Sequence, residues 1–424
     1  MRPAPHYLLA PVGSTGDMHP FMGLAQALQR MGRPVTLMGP AFHRELVGRA
    51  GIPFIGLGRD EDYLRVVGNP ALWHPRKGFK VLFGDFREPL LDACRALMAF
   101  QPDAPRVVIG HPFALPAIAM ARELGWQARV VGAYLAPSNL RTVHDPLQLG
   151  ELRMPRWVPT GWRRALWTLL DRTLVDPHGA KEVNAARAAL GLAPLRQSLL
   201  PHMQRVPEVS VTLFPEWFGP PQPDWPRPLL MGDFQLFDAD QDAPLPDALA
   251  HFLDAGTPPL VVTPGTANAH AAALFALAAR AAQRLGRRAV FLTRHRGQLP
   301  EALPPSILWE AYVPLGRLLP RAAALVHHGG IGTTAEALRA GVPQLVTPFA
   351  WDQFDNAARV EALGAGRWIP AARLRPRKLE AALHGLDAPA VREHCRRVAA
   401  RFDGATGPEP LCRAIEALLG VAPG

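Results

Sequence analysis

The sequence predicts an α/β protein with two parallel, doubly wound sheets. Three observations carry that prediction. Short apolar runs alternate with helical patterns in both halves of the chain, each half opens on a strand followed by a glycine-bearing turn, and a proline-rich stretch separates the halves. In the first half the runs at 7–12, 34–38, 107–109 and 129–133 read as strands, with helices expected at 21–31, 89–99 and 116–124. In the second half strands are expected at 260–263, 289–293, 324–327 and 344–347, with helices at 271–285 and 334–340. The stretch 214–246 is too rich in proline for regular structure, because proline lacks the N–H that a ladder or helix needs, so it reads as a linker. The expected organisation is a domain over 1–213, the linker 214–246, a domain over 247–409, and a segment 410–424 whose helix crosses back to the first domain. Two Rossmann-like domains facing across a cleft are the expected outcome.

Composition narrows the function class. A chain of 424 residues is long enough for two cores, and no apolar run reaches the roughly 18 residues of a membrane span. The opening run is too short for a signal segment and leads into a glycine turn, so it reads as a first strand. Three cysteines, Cys94, Cys395 and Cys412, are too few and too scattered for a disulfide framework or a zinc site, and the expected compartment is the cytoplasm. The net charge of +10 is carried by arginines spread along the chain rather than clustered, which argues against a nucleic-acid partner. An anionic membrane face suits that charge better.

The most informative segment is Leu325 to Asn356. Leu325 and Val326 end an apolar run, a glycine-rich turn follows, and Thr333 opens a helix, so free backbone N–H groups and the positive end of a helix dipole converge. That is an anion site. Past the helix stop at Gly341 and Pro343, the strand 344–347 delivers Trp351, Asp352 and Gln353 into a loop, where a carboxylate beside an amide suits a polyhydroxylated ligand. A diphosphate carrying a sugar satisfies both halves.

This segment resembles the nucleotide-sugar motif of the family 1 glycosyltransferases with the GT-B fold, H-x-G-x-x-G-[ST]-x-x-E followed by G-x-P and D-Q-x-x-N. His328, Gly330, Gly332, Thr333, Glu336, Gly341, Pro343, Asp352, Gln353 and Asn356 fall on its positions. The resemblance extends to GSTGDMHP at 13–20 and to 217–229, and so brackets nearly the whole chain. Within the family, the segments 71–79, 217–229 and 352–357 look most like the rhamnosyltransferases of rhamnolipid synthesis. The resemblance implies a GT-B fold and an inverting transfer of a hexose from a UDP- or dTDP-sugar to a hydroxyl of an apolar acceptor, a 3-hydroxyacyl lipid or an aglycone. It implies neither cofactor nor metal.

The resemblance also assigns roles. It places the turn 13–16 at the floor of the acceptor site and makes Asp17 the base, where many relatives carry a histidine at the position of Thr15. As a bare pattern Asp17 reads equally as a cap on a helix beginning near Pro20, and His19 is the rival base. A dinucleotide site is not expected, because Met18 and His19 stand where a third glycine is needed and no acidic residue follows Met38. On the donor side Gly16, Gly265 and Thr266 are phosphate-facing turn residues, while His328, Gly330, Gly332 and Thr333 hold the diphosphate. Tyr312 clamps the base, or is a core residue, and Val313 offers a pairing amide and carbonyl. Asp352 and Gln353 bind sugar hydroxyls. Glu336 binds the ribose diol, although Thr333 and Glu336 also have capping-box spacing. In the rhamnosyltransferase pattern the position of Glu336 is apolar and suits a deoxyribose, so Glu336 favours a UDP-sugar, most simply UDP-glucose, beside dTDP-rhamnose.

Two D-x-D matches, at 60–62 and 238–240, are the candidates for a metal site. Ala243 and Leu249 stand where a calcium loop needs Gly and Glu, and the second match reads as a solvated linker. In 157–175, Trp162, Leu166, Leu169, Leu170 and Leu174 share a helical stripe that reads as an interfacial helix, an acceptor wall or core packing. Two other functions fit the same resemblance: a nucleotide-sugar 2-epimerase, and an idle sugar-nucleotide or lipid-binding protein.

Overall fold

The computed structural model describes residues 4–74, 77–145, 148–238, 240, 243–265, 270–404 and 407–421. The chain divides into two compact units, Met1–Phe237 with Thr406–Gly424, and Asp238–Ala405.

The strands of the first unit are His6–Ala10 (β1), Val35–Pro40 (β2), Phe54–Leu57 (β3), Arg106–Gly110 (β4), Arg129–Tyr134 (β5), a separate two-residue pair Gln148–Leu149 (β6) and Leu152–Arg153 (β7), then Val209–Thr212 (β8) and Leu229–Leu230 (β9). Its main sheet runs β3-β2-β1-β4-β5-β8-β9, and every pairing in it is parallel. Helices cover both faces of such a sheet, which is why Tyr7, Leu8 and Leu9 are all fully buried rather than alternating with polar residues. The linker expectation needs correction at one place. Leu229 pairs with Ser210 and Leu230 with Val211, so the proline-rich stretch supplies the edge strand β9. An edge is where a two-residue strand beside prolines is tolerated.

The first helix spans Thr15–Arg30 with Ser14 as its N-cap, and Pro20 lies inside it. It therefore starts well before Pro20, and Asp17 falls in its first turn. At the other end of the sequence, the Glu409–Leu419 helix belongs to the first unit. Its Glu416 accepts hydrogen bonds from Arg33 Nε (2.6 Å), Arg33 Nη2 (3.2 Å) and Tyr7 Oη (3.0 Å), all three residues being buried. Arg30 donates to Glu409 nearer the surface.

The second unit contains Leu260–Thr263 (β10), Ala289–Leu292 (β11), Ile307–Glu310 (β12), Ala324–His327 (β13), Gln344–Val346 (β14) and Gly366–Trp368 (β15) in the order β12-β11-β10-β13-β14-β15. This is a doubly wound order with its reversal between β10 and β13. Leu260 and Val262 enter one apolar cluster and Val261 the other, so the sheet separates two cores, one on each face.

The helix Thr160–Leu170, continued by a π-helical turn at Asp171–Val175, divides the leucine stripe, with Leu166, Leu170 and Leu174 half-buried. Trp162 and Leu169 are exposed, and the buried residue of this helix is Arg163. No helix among the described residues is long and apolar enough to cross a membrane. The described cysteines are free and buried.

Candidate active site

In a doubly wound sheet the loops after the strands on either side of the reversal splay apart and leave a crevice. In the second unit those loops follow β10 and β13, and they carry the glycines of the motif. Gly265 has φ +88°, and a Cβ there would lie 2.5 Å from His328 Cε1; a Cβ on Gly330 would lie 2.5 Å from His328 Nε2. The imidazole of His328 is thus held between two glycine backbones. Burial pushes its pKa down to about 4, so the ring is neutral. Its Nδ1 is buried and has no hydrogen-bond partner among the described residues. Thr266 lies outside the described residues.

Gly330 is the N-cap of the helix Ile331–Arg339, which places Gly332 and Thr333 in its first turn. A Cβ on Gly332 would meet nothing within 4 Å, so this stretch of backbone is open to a ligand. Because the helix begins at Ile331 rather than at Thr333, the capping-box reading of Thr333 and Glu336 fails. Glu336 instead accepts from Arg339 Nη2 (2.6 Å) and Nε (3.2 Å) one turn on, and burial raises its pKa against the pull of Arg339.

His327 is a structural neighbour with a different task. Its Nδ1 accepts from Gly329 N (3.2 Å) and its Nε2 lies 2.9 Å from Gln344 Oε1. Gly329, with φ +94° and no room for a Cβ against Val346 and the Gln353 carbonyl, is required by the turn, yet no role was expected of it. Asn356 Nδ2 donates both to Gly329 O (2.9 Å) and to Asp352 Oδ2 (2.8 Å), which ties the phosphate-type turn to the sugar-type loop. Gln353 is buried, and its Oε1 accepts from Phe349 N (2.8 Å) and Ala350 N (3.2 Å). Its carbonyl end is therefore committed to the loop, which leaves Nε2 as the end for any ligand contact. Trp351, just before Asp352, has φ 59°, a left-handed conformation that costs a non-glycine residue about 1–2 kcal/mol. The Gln353 and Asn356 contacts are what hold that loop.

Tyr312 is half-buried and donates from Oη to Asp238 Oδ2 (2.5 Å), with the Arg294 guanidinium 5.5 Å from its ring centre. Asp238 also accepts from Asp240 N (2.9 Å), so it is a structured partner rather than the solvated linker residue expected. Burial, with Asp238 adding, raises the Tyr312 pKa. The Val313 side chain is in the core, which leaves its backbone for any ligand contact.

The reversal in the first unit lies between β1 and β4. After β1, Asp17 Oδ2 accepts from Ser14 N (2.6 Å) and Ser14 Oγ (2.9 Å), so the residue does cap its helix. Gly13, at φ +138°, allows this, because a Cβ would fall 2.2 Å from Asp17 Oδ2. Gly16 sits in the same first turn and therefore in the first unit, whereas the other described donor-binding candidates belong to the second. Around the carboxylate are aromatic groups that the sequence did not flag. Tyr63 stacks on Phe42 (4.6 Å between ring centres) and meets His43 edge-on (5.2 Å), and the Asp17 charge raises the Tyr63 pKa after burial does. His43 Nε2 lies 3.3 Å from Gly13 O. His19, two residues beyond Asp17 and so on another face of the helix, meets Phe237 edge-on at 6.0 Å. After β4, His111 is buried and neutral, its pKa pushed down to about 3.

Burial raises the Asp17 carboxyl, and the Ser14 hydrogen bonds partly oppose it. With Asp17 as the proposed base, which must be ionised to act, the acid limb of kcat/KM is expected above the ordinary carboxylate value of about 3.9. Ser14→Ala, which removes the Oγ donor, moves that limb higher still; an unmoved limb in the pH profile would detach it from Asp17. The linkage sign is the reverse of a salt-bridged aspartate. With the folded pKa above the unfolded one, the native state holds the proton more tightly, so the stability from this group is present at low pH and lost as pH rises through the folded pKa.

In the D-x-D match at 60–62, Asp62 is paired, accepting from Arg59 and Arg65. Among the described residues no group of three or more His, Cys, Asp or Glu could hold a metal ion.

Comparison with known proteins agrees with this geometry. Residues 287–418 match the family described as erythromycin biosynthesis protein CIII-like, C-terminal domain. The chain is 29% identical over 433 residues to the O-mycaminosyltylonolide 6-deoxyallosyltransferase of Streptomyces fradiae, covering 96% of each. It is 30% identical over 372 residues to the vancomycin aglycone glucosyltransferase of Amycolatopsis orientalis, covering 85% of this chain and 84% of that one. Among solved structures, the glycotransferase of kitacinnamycin superposes with a TM-score of 0.71 at 22% identity, covering 99% of this chain and 100% of that one. The spinosyn rhamnosyltransferase SpnG complexed with thymidine diphosphate does so with 0.66 at 19%, covering 98% and 100%. These likenesses span the whole fold, and on them the chain belongs to the family 1 glycosyltransferases with the GT-B fold and is a nucleotide-sugar-dependent hexosyltransferase.

Proposed function

We propose that the protein is an inverting transferase that moves a hexose from a nucleoside-diphosphate sugar to a hydroxyl on a bulky, largely apolar acceptor. The observation that carries this reading is the neutral His328 ring clamped between Gly265 and Gly330, beside the open backbone of a helix N-terminus. A leaving diphosphate gains charge as the glycosidic bond breaks, and backbone N–H groups fixed in advance stabilise that charge without reorganising. Asp17 takes the proton of the acceptor hydroxyl as it attacks the anomeric carbon. One displacement at that carbon inverts it. Asp352 and the Nε2 end of Gln353 hold the sugar hydroxyls, and the Asn356 bridge fixes Asp352 relative to the phosphate turn.

An aglycone acceptor is supported by the relatives, whose names give O-mycaminosyltylonolide and the vancomycin aglycone as what they glycosylate. A 3-hydroxyacyl lipid is the second acceptor, on the likeness to rhamnolipid synthesis. For the donor, the Glu336 carboxylate is held by Arg339 in the ribose position of the motif and suits a ribose with both hydroxyls. That favours a UDP-sugar, although three solved structures of this fold, VinC, SsfS6 and SpnG, are complexed with thymidine diphosphate. The test is a donor screen by released nucleoside diphosphate, with an aglycone and a hydroxyacyl lipid competing. In it, kcat/KM for the UDP form should exceed that for the dTDP form of the same sugar, and Glu336→Leu should cut that ratio by roughly tenfold, as expected for losing a contact of about 1–3 kcal/mol. A preference for the dTDP form, untouched by the substitution, would remove Glu336 from ribose recognition. Absence of release with any acceptor would remove the transfer itself.

A further inference from the structure

The helix Thr160–Leu170 faces the wrong way for a core helix. Its buried residue, Arg163, donates to the backbone carbonyls of Val143 (3.0 Å), His144 (3.1 Å), Pro155 (3.4 Å) and Arg156. Trp167, four residues on and so on the same face, donates from Nε1 to Thr142 O (2.9 Å) and lies under the Arg141 guanidinium at 4.9 Å. Arg141 in turn pairs with the buried Asp171 at the following π-helical turn. The inner face is thus fastened by cations, carbonyls and a carboxylate beside the half-buried Leu166 and Leu170, with Trp162 and Leu169 left outside.

What lies outside is a concentrated apolar surface. Trp162 and Leu169, seven residues apart and so on one face, are 74% and 56% exposed; Trp157 is 82% and Leu152 77% exposed. Single exposed apolar residues mean nothing, but here four large ones fall within residues 152–169. Arg153, Arg156, Arg164 and Arg172 are exposed within the same stretch. Tryptophan with arginine is the composition of a surface that lies in a lipid headgroup layer, the indole at the acyl boundary and the guanidinium on the phosphates.

We propose that this face docks on an anionic membrane surface, with Trp157 and Trp162 inserted and the four arginines paired to lipid phosphates. A flat anionic bilayer is the occupant that matches both parts of the patch. An aglycone would use the tryptophans and leave the arginines unmatched, and a second copy of this basic face would set arginine against arginine. The proposal stands apart from the donor assignment and survives its failure.

The experiment is co-sedimentation of the full chain with vesicles of phosphatidylcholine alone and of phosphatidylcholine with phosphatidylglycerol. Binding to the anionic vesicles should exceed that to neutral ones by about tenfold or more and fall as salt rises. Trp157→Ala with Trp162→Ala should abolish binding to both compositions. Arg153→Gln, Arg156→Gln and Arg164→Gln together should remove the anionic preference and salt dependence. Each variant should turn over a water-soluble acceptor at the wild-type rate, since none of these residues belongs to the catalytic or donor machinery, and that rate also reports that the variant is folded. Wild type that fails to bind anionic vesicles, or variants that bind like wild type, would overturn the proposal. Turnover lost in the tryptophan variant with vesicle binding kept would make the patch an acceptor wall. A dimer in solution that the tryptophan variant dissolves would make it a self-interface.

Discussion

Asp17→Asn lowers kcat by roughly 10²–10⁴-fold, the range for removing a general base, and leaves nucleoside diphosphate binding as in the wild type. The substitution separates the two tasks of this residue. Asp17 Oδ2 accepts from Ser14 N and Oγ, and an amide oxygen accepts the same two hydrogen bonds, so the cap and the turn at Gly13 are retained. What the amide cannot do is take a proton. Saturating turnover and calorimetric binding of the bare diphosphate are the two measurements. If the variant turned over like the wild type, Asp17 would be a cap alone, and His19, on the face towards Phe237, would be the next residue to replace.

The second large effect is on stability. Glu416→Ala leaves the buried Arg33 guanidinium without its counter-charge and takes from Tyr7 Oη its acceptor. Breaking one side of a buried pair costs about 3–5 kcal/mol, and a melting temperature lower by roughly 10 °C follows for a unit of this size. Calorimetry of wild type and variant reads it directly. A Tm unchanged within about 2 °C would mean that the Glu409–Leu419 helix is held by its apolar residues Leu411, Ile415 and Leu419 rather than by this ion pair.

Much of the fold was legible because buried parallel strands write themselves as apolar runs. The four strand expectations of each half fall on β1, β2, β4 and β5, and on β10, β11, β13 and β14, the interior of each sheet. The strands that went unread are the separate pair β6 and β7, the edge strands β3, β9, β12 and β15, and β8, next to an edge. At an edge one side of the strand lacks a neighbour, and runs such as Phe54–Leu57 and Gly366–Trp368 carry glycine or arginine; β8, paired on both sides, is a short run with Ser210 and Thr212 among its four residues. Helix starts were misread for a related reason. Thr15 and Ile331 begin helices through a cap at Ser14 and Gly330, whereas periodicity registers only the first apolar turn. At the site, residues adjacent in sequence were legible as a motif. Tyr63, His43 and Asp238 were not, because they reach Asp17, Gly13 and Tyr312 only through the fold.

The hydrogen bond from Tyr7 to Glu416 joins residues 409 apart, and the whole of Asp238–Ala405 is threaded between the two parts of the first unit. During synthesis the first sheet therefore waits for its final helix while the second unit emerges, for roughly 10–30 s at typical elongation rates. Throughout that interval Arg33 and the inner side of the Thr15–Arg30 helix lack their cover. The second unit, contiguous in sequence, can close first. The order in which the two units mature would then be the reverse of the order in which they are begun.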